Sequence, residues 1–162
     1  MHPQKNPLSE LTAGEIMQPS VISVSRRTPI AEVARTLAEH RISGCPVTDE
    51  AGQIVGVVSL RNLVERYAEG ADREPVSGFY DAPAWDTDEE YGLPSSAVPD
   101  TVEDVAADVM SGEVYAVEKT ATVPEVARTM MQYSVHRLLV RHRGQFIGLV
   151  SSTDVLRAVA AL

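Results

Sequence analysis

The chain has 162 residues, 44% of them hydrophobic and 23% charged, with a formal net charge of −9. These are globular values that exclude wholesale disorder, and no apolar run approaches the ~20 residues of a membrane span. The opening MHPQKNPLSELTAGE has no apolar h-region, so no secretory leader is expected, and the single Cys45 excludes a disulfide framework and points to a reducing cytoplasm.

In chain order, Thr12-x-x-Glu15 is a capping-box pattern that opens a short helical turn ending at Met17. Val21 to Val24 reads as a short strand. Thr28 with Pro29 signals a helix start, and Ile30, Val33, Ala34 and Leu37 fall on one face at 3.6 spacing. Cys45 to Thr48 turns through Asp49-Glu50-Ala51-Gly52 into Ile54 to Val58, a hairpin. A further helix starts near Ser59 and carries Leu63 and Val64. After an irregular stretch the series recurs: a turn ending at Met110, a strand at Val114 to Val117, a helix on Val123, Val126, Ala127 and Met130, a hairpin through Arg143-Gly144, and a last helix from Ser151.

The recurrence is a duplication. Shifted by 93 residues, Glu32-Val33-Ala34-Arg35-Thr36 falls on Glu125-Val126-Ala127-Arg128-Thr129, and Met17 and Val24 on Met110 and Val117. Shifted by 92, Gly52-Gln53 and Ser59 fall on Gly144-Gln145 and Ser151. Each copy is a β-α-β-β-α unit of mixed α/β (α+β) class with a leading helical turn. A unit of ~55 residues buries little core alone, so the copies are expected to pack together. The organisation is residues 1–12 as an extension, 13–66 as repeat 1, 67–105 as an acidic insertion and 106–162 as repeat 2. Residues 69 to 108 hold 12 of the 23 acids and one of the 14 bases. Prolines and glycines break its periodicity, while Phe79, Tyr80, Trp85 and Tyr91 suggest that part of it docks. The acidic total argues against nucleic-acid binding.

Each copy resembles a CBS domain. The resemblance is carried by Met17 and Met110, by the Ile42-Ser43-Gly44-Cys45-Pro46-Val47 run, and by two endings. These are Gly56-Val57-Val58-Ser59-Leu60-Arg61-Asn62 and Gly148-Leu149-Val150-Ser151-Ser152-Thr153-Asp154. A tandem pair of such repeats, a Bateman module, implies a pseudo-twofold arrangement with two clefts between the copies. Such clefts commonly take adenosine-containing ligands.

The resemblance implies that Asp154 is a ribose ligand, and a carboxylate suits two adjacent hydroxyls. From spacing alone, Ser151 and Asp154 read first as helix caps, and it is the resemblance that favours ligand contact. A helix N-terminus favours phosphate, to which Ser151 and Thr153 can add hydroxyls. His136 and Arg137, at the entry to a strand, resemble a phosphate-contacting pair. By motif position Thr28, Val33, Ile42, Ser43 and Gly44 complete a base pocket. A second, weaker cleft holds Ser59, Arg61, Asn62, Ala121 and Val135, with an amide where the first has a carboxylate.

The leading expectation is therefore a non-catalytic regulatory module that requires no cofactor and binds AMP, ADP or ATP, with S-adenosylmethionine as a further candidate. It is expected in the cytoplasm, off the membrane, acting on a protein target in trans. A homodimer through its helices is expected, with Leu63, Val64, Leu156, Val159 and Leu162 as the apolar face. The alternative is a structural adaptor with vestigial clefts. An enzyme is disfavoured: there is no GxSxG, HExxH, P-loop or CxxC, and the four histidines lack metal spacing.

Overall fold

The structure is a computed structural model that describes residues 7–19, 22–68 and 103–162. The insertion's aromatic residues lie outside the described residues. Among the described residues a short 3-10 turn, Pro7–Ser9, precedes six helices and six strands. They are α1 (Ala13–Ile16), β1 (Val24–Ser25), α2 (Ile30–Glu39), β2 (Gly44–Thr48), β3 (Ile54–Ser59) and α3 (Leu60–Ala68). The second series is α4 (Ala106–Val109), β4 (Ala116–Glu118), α5 (Val123–Tyr133), β5 (Arg137–His142), β6 (Gln145–Ser151) and α6 (Ser152–Ala160). The class is α+β, with two three-stranded sheets, ordered β1-β2-β3 and β4-β5-β6. In each, the first pairing is parallel and the second antiparallel.

The two series match the predicted order, and the differences have local causes. Helix α2 begins one residue later than the Thr28-Pro29 signal, with Pro29 at its N-cap. Strand β1 is two residues long where β4 is three. Leu139 in β5 donates its N–H to the Tyr115 carbonyl at 3.0 Å. Its counterpart in β2 is Pro46, which has no N–H to donate, so the ladder starts at Val24 and Val47. The β5–β6 turn places both Arg143 and Gly144 at positive φ, 52° and 77°, the backbone of a two-residue type I′ hairpin. In the β2–β3 turn, the Asp49 side chain accepts from the N–H groups of Ala51 and Gln53, both at 2.9 Å.

The chain divides into two compact units, and these do not follow the repeats. The first unit combines residues up to 21 with 115–162, and the second is 22–114. Each repeat thus gives its leading helical turn to the sheet of the other. In the first unit, the N–H groups of Ala13 and Gly14 donate to the carbonyls of Ala121 and Lys119, at 2.7 and 2.9 Å. The free N–H groups at the start of a helix need partners, and here the tertiary fold supplies them. Past the turn, Gln18 and Leu149 exchange two backbone bonds, of 2.7 and 3.0 Å, which lengthens the edge of β6. The second unit repeats this. Ala106 and Ala107 donate to Thr28 and Arg26, and Ser111 and Val57 exchange two bonds of 2.9 Å.

A glycine makes each exchange possible. A Cβ on Gly148 would lie 2.5 Å from the Gln18 carbonyl oxygen and 2.8 Å from the Met17 sulfur. A Cβ on Gly56 would lie 2.5 Å from the Ser111 oxygen and 2.8 Å from the Met110 sulfur. The glycine and methionine of the motif therefore answer one another across the chain duplication.

The core of the second unit joins Ile30, Val33, Ala34 and Leu37 of α2 to Cys45, Val47, Val58 and Leu63, and includes Ala106 and Val109 of the exchanged turn. The first unit buries Val123, Val126 and Met130 with Leu138, Leu139, Val140 and Val150. Full burial of a side chain of this size contributes about 1.5–3 kcal/mol. Leu63, expected on a dimer face, is 0% exposed and belongs to the core. Val64, Leu156, Val159 and Leu162 stay exposed. Cys45 is buried, and desolvation pushes its thiol up to about 12, so it is protonated and unreactive at neutral pH.

Two predictions arise here. Gly148→Ala and Gly56→Ala should each lower stability by about 1–3 kcal/mol, read as a lower urea midpoint. Gly112→Ala, where an added Cβ meets nothing within 4 Å, should be close to neutral. The second concerns the caps of α1 and α5. Glu15 and Glu125 accept from the backbone N–H and the hydroxyl of Thr12 and Thr122, which holds both carboxyls below their ordinary value of 4.5. A depressed carboxyl stabilises the fold above its unfolded pKa, and that contribution is lost as pH falls through the folded value. Glu125→Ala should therefore lower the urea midpoint at pH 7, and the gap from the unaltered protein should narrow at pH 3.

Candidate functional site

In the first unit the residues expected to bind phosphate and ribose gather at the start of α6. Strand β6 ends at Ser151, which is extended, with φ −113° and ψ 164°, and serves as N-cap. Ser151 pairs with Arg137 across the sheet, and the Ser152 N–H donates to the His136 carbonyl at 3.0 Å. The antiparallel register thus sets the backbone of His136 and Arg137 beside the helix N-terminus. His136 is exposed, and Arg137, Ser151 and Thr153 are half-buried.

Asp154 is the third residue of α6 and only 4% exposed. Its Oδ2 accepts from both the N–H and the hydroxyl of Ser151, each at 2.8 Å, while its own N–H donates to the Ser151 oxygen at 3.3 Å. This is a reciprocal capping box, so the capping role is present. Its Oδ1 faces other donors: the Gln18 side-chain amide at 3.1 Å and the Arg157 guanidinium at 3.2 Å. Gln18 went unnoticed in the sequence. It lies 136 positions from Asp154, and only the exchange of the leading segment brings it there.

The second unit carries the same frame with different chemistry. Gly44 pairs with Ser59, and the Leu60 N–H donates to the Ser43 carbonyl at 2.9 Å. Asn62, 2% exposed, takes the place of Asp154. Its one carbonyl oxygen accepts from the Ser59 N–H and hydroxyl, at 2.9 and 3.0 Å. A carboxylate that caps its helix retains a second acceptor oxygen, whereas an amide does not. Arg61 points to Glu65, 2.8 Å away, along its own helix.

The residues expected to line a base pocket also belong to the second unit. Thr28 and Ile42 are half-buried, Ser43 likewise, and Gly44 is buried at the start of β2. Val33 is 0% exposed inside the core and presents no surface to a ligand. Of the second-cleft residues in the first unit, Val135 is buried. Ala121 borders a shallow, open depression that it shares with Thr120, Glu125, Arg128 and Gln132. Among the described residues no cluster of His, Cys, Asp and Glu could hold a metal ion, and no helix is long and apolar enough to cross a membrane.

Comparison with known proteins gives a consistent result. The family model for the CBS domain matches residues 13–69 and 102–161. The CBS domain-containing protein CBSX1, chloroplastic, of Arabidopsis thaliana is 27% identical over 152 residues, which cover 91% of this chain and 63% of that one. The chain thus spans less than two-thirds of the length of this curated relative. The crystal structure of CBSX2 in complex with AMP matches with a TM-score of 0.65 and 23% identity, covering 93% of this chain and 97% of the other. The CBS domain pair of protein MJ0100, solved with 5′-methylthioadenosine and S-adenosyl-L-methionine, matches with a TM-score of 0.63 and 18% identity, covering 93% and 96%. At these identities the two structures establish likeness of fold.

Proposed function

The chain belongs to the CBS-domain family, and from that premise we propose that it is a non-catalytic regulatory module that binds an adenosine-containing ligand at the start of α6. The observation that carries this reading is the second oxygen of Asp154. With Oδ2 engaged by the cap, Oδ1 is the oxygen outside it, and a ribose hydroxyl that takes the place of a donor there binds at charge-assisted strength. The adjacent helix N-terminus, with Ser151, Thr153, His136 and Arg137 beside it, suits a phosphate. AMP, ADP and ATP fit that combination, and the complexes of CBSX2 and MJ0100 support the adenosine class, S-adenosylmethionine included. No cofactor is required. Signalling runs to a protein target in trans, and the cytoplasm is the proposed compartment, in keeping with one buried, reduced cysteine.

A structural adaptor is the second reading. It is favoured by Asn62, whose only acceptor is engaged in capping, and by the donors already facing Asp154.

Calorimetric titration with AMP separates the two. Asp154→Asn keeps an acceptor for Ser151 and so keeps the cap, but it loses the charge and the second oxygen. Hydrogen bonds to a charged group contribute roughly 1.5–3 kcal/mol, so this substitution should weaken AMP about ten- to hundredfold, and Asn62→Ala should change it little. Arg137→Ala should weaken AMP more than adenosine. Unchanged AMP affinity in Asp154→Asn would leave the adaptor as the better reading.

The proposed assembly is a homodimer built through helices. On α6, Leu156 is 62% and Val159 45% exposed, and Leu162 just beyond is 67% exposed. Apolar side chains on one helical face favour association through a twofold axis. Light scattering at high micromolar concentration should give twice the chain mass, and Leu156→Glu with Val159→Glu should halve it. A monomeric mass for the unaltered protein would refute the dimer.

A further inference from the structure

The carboxylate of Asp154 accepts four hydrogen bonds, two on each oxygen. A carboxylate has about four lone-pair sites, so a ligand hydroxyl has to displace a donor already in place. The donors are held very differently. Ser151 is fixed as the N-cap and donates through both its backbone N–H and its hydroxyl. Gln18 is exposed, but its backbone is held by the two-way bridge to Leu149. Arg157 reaches back along α6 from three residues on, its side chain is 70% exposed, and its 3.2 Å contact is the longest of the four. It is the more weakly held of the two donors on Oδ1, and among the described residues its side chain is tied to the fold at no other point than this exposed contact.

We propose that Arg157 is an intramolecular competitor: it occupies Oδ1 of Asp154 and must swing away before a ribose hydroxyl can bind there. Gln18 is the positioning residue that holds Oδ1 on the side away from Ser151. The inference rests on the reading of Asp154 as the ribose acceptor. Repeat 1 lacks the device. The position matching Arg157 is Glu65, and it pairs with Arg61 rather than with Asn62. The competing ion pair is exposed, so it is weak and screened by salt; pairs of this kind shift an equilibrium about twofold to fivefold.

The test compares AMP with 2′,3′-dideoxyadenosine monophosphate, which keeps the base and the phosphate and lacks both hydroxyls. The ratio of their affinities isolates the hydroxyl contact, because effects on the phosphate cancel. Measured by calorimetry, Arg157→Gln should raise the ratio about twofold to fivefold, and Arg157→Lys should bring it part of the way back. In the unaltered protein the ratio should rise as ionic strength increases, and in Arg157→Gln it should be flat. Gln18→Ala should lower the ratio and leave the affinity for the dideoxy compound unchanged, which a loss of fold would not do. A ratio unaffected by Arg157→Gln, in a protein that still prefers AMP, would overturn the competitor and leave the ribose reading standing. An unaltered protein that binds both compounds equally, or neither, would overturn the ribose reading and the competitor with it.

Discussion

The structure depends on one close approach made twice. The carbonyl oxygen of Gln18 lies where a Cβ of residue 148 would be, and that of Ser111 where a Cβ of residue 56 would be. Glycine at both positions removes the obstacle, and a pair of backbone bonds then ties each leading segment to the sheet of the opposite repeat. The consequence is a pair of units that each contain chain from both copies. Neither repeat is complete alone, because each lends its first turn and borrows another. The first two N–H groups of α1 and of α4 find their acceptors in the other copy, and Ala106 and Val109 fill a core that repeat 1 leaves open. A duplicated unit too small to bury much apolar surface gains both core and hydrogen-bond partners this way.

The same exchange shapes the candidate site. It carries Gln18 to the end of β6, within hydrogen-bond reach of Asp154. Both repeats build an identical frame at this place: a serine at the close of a strand, a polar residue three positions on, and a loop carbonyl that accepts from the first helical N–H. At the capping residue itself the asymmetry between the copies comes down to one atom. Asp154 has an oxygen left after capping and Asn62 does not, and charge follows the oxygen. Capping and ligand contact are thus compatible roles for one carboxylate, because its two oxygens face different neighbours.

Much of this was legible in the sequence, for a physical reason. Periodicity of 3.6 on Ile30, Val33, Ala34 and Leu37, alternation into a hairpin at Arg143-Gly144, and the capping pairs Thr12/Glu15 and Thr122/Glu125 are local, governed by residues within one or two turns of each other. The repeat, compared with itself, disclosed the α+β series, and the difference between Asp154 and Asn62 can be read directly from the two motif endings. Tertiary structure decided what depends on residues far apart. It assigned α1 to the sheet of repeat 2 and α4 to that of repeat 1, since sequence order carries no record of which copy a turn will join. It revealed why the motif glycine and methionine occur together, and why Pro46 shortens β1. It placed Leu63 in the core rather than on a dimer face, and it kept Val33 on the buried face its spacing marks, away from the base pocket that motif position implied. Arg157, three residues on from Asp154 along the same helix, was within reach of a local reading. But tertiary structure set Gln18 on one oxygen of Asp154, because a partner 136 positions away is chosen by distance in space, which the linear chain does not contain.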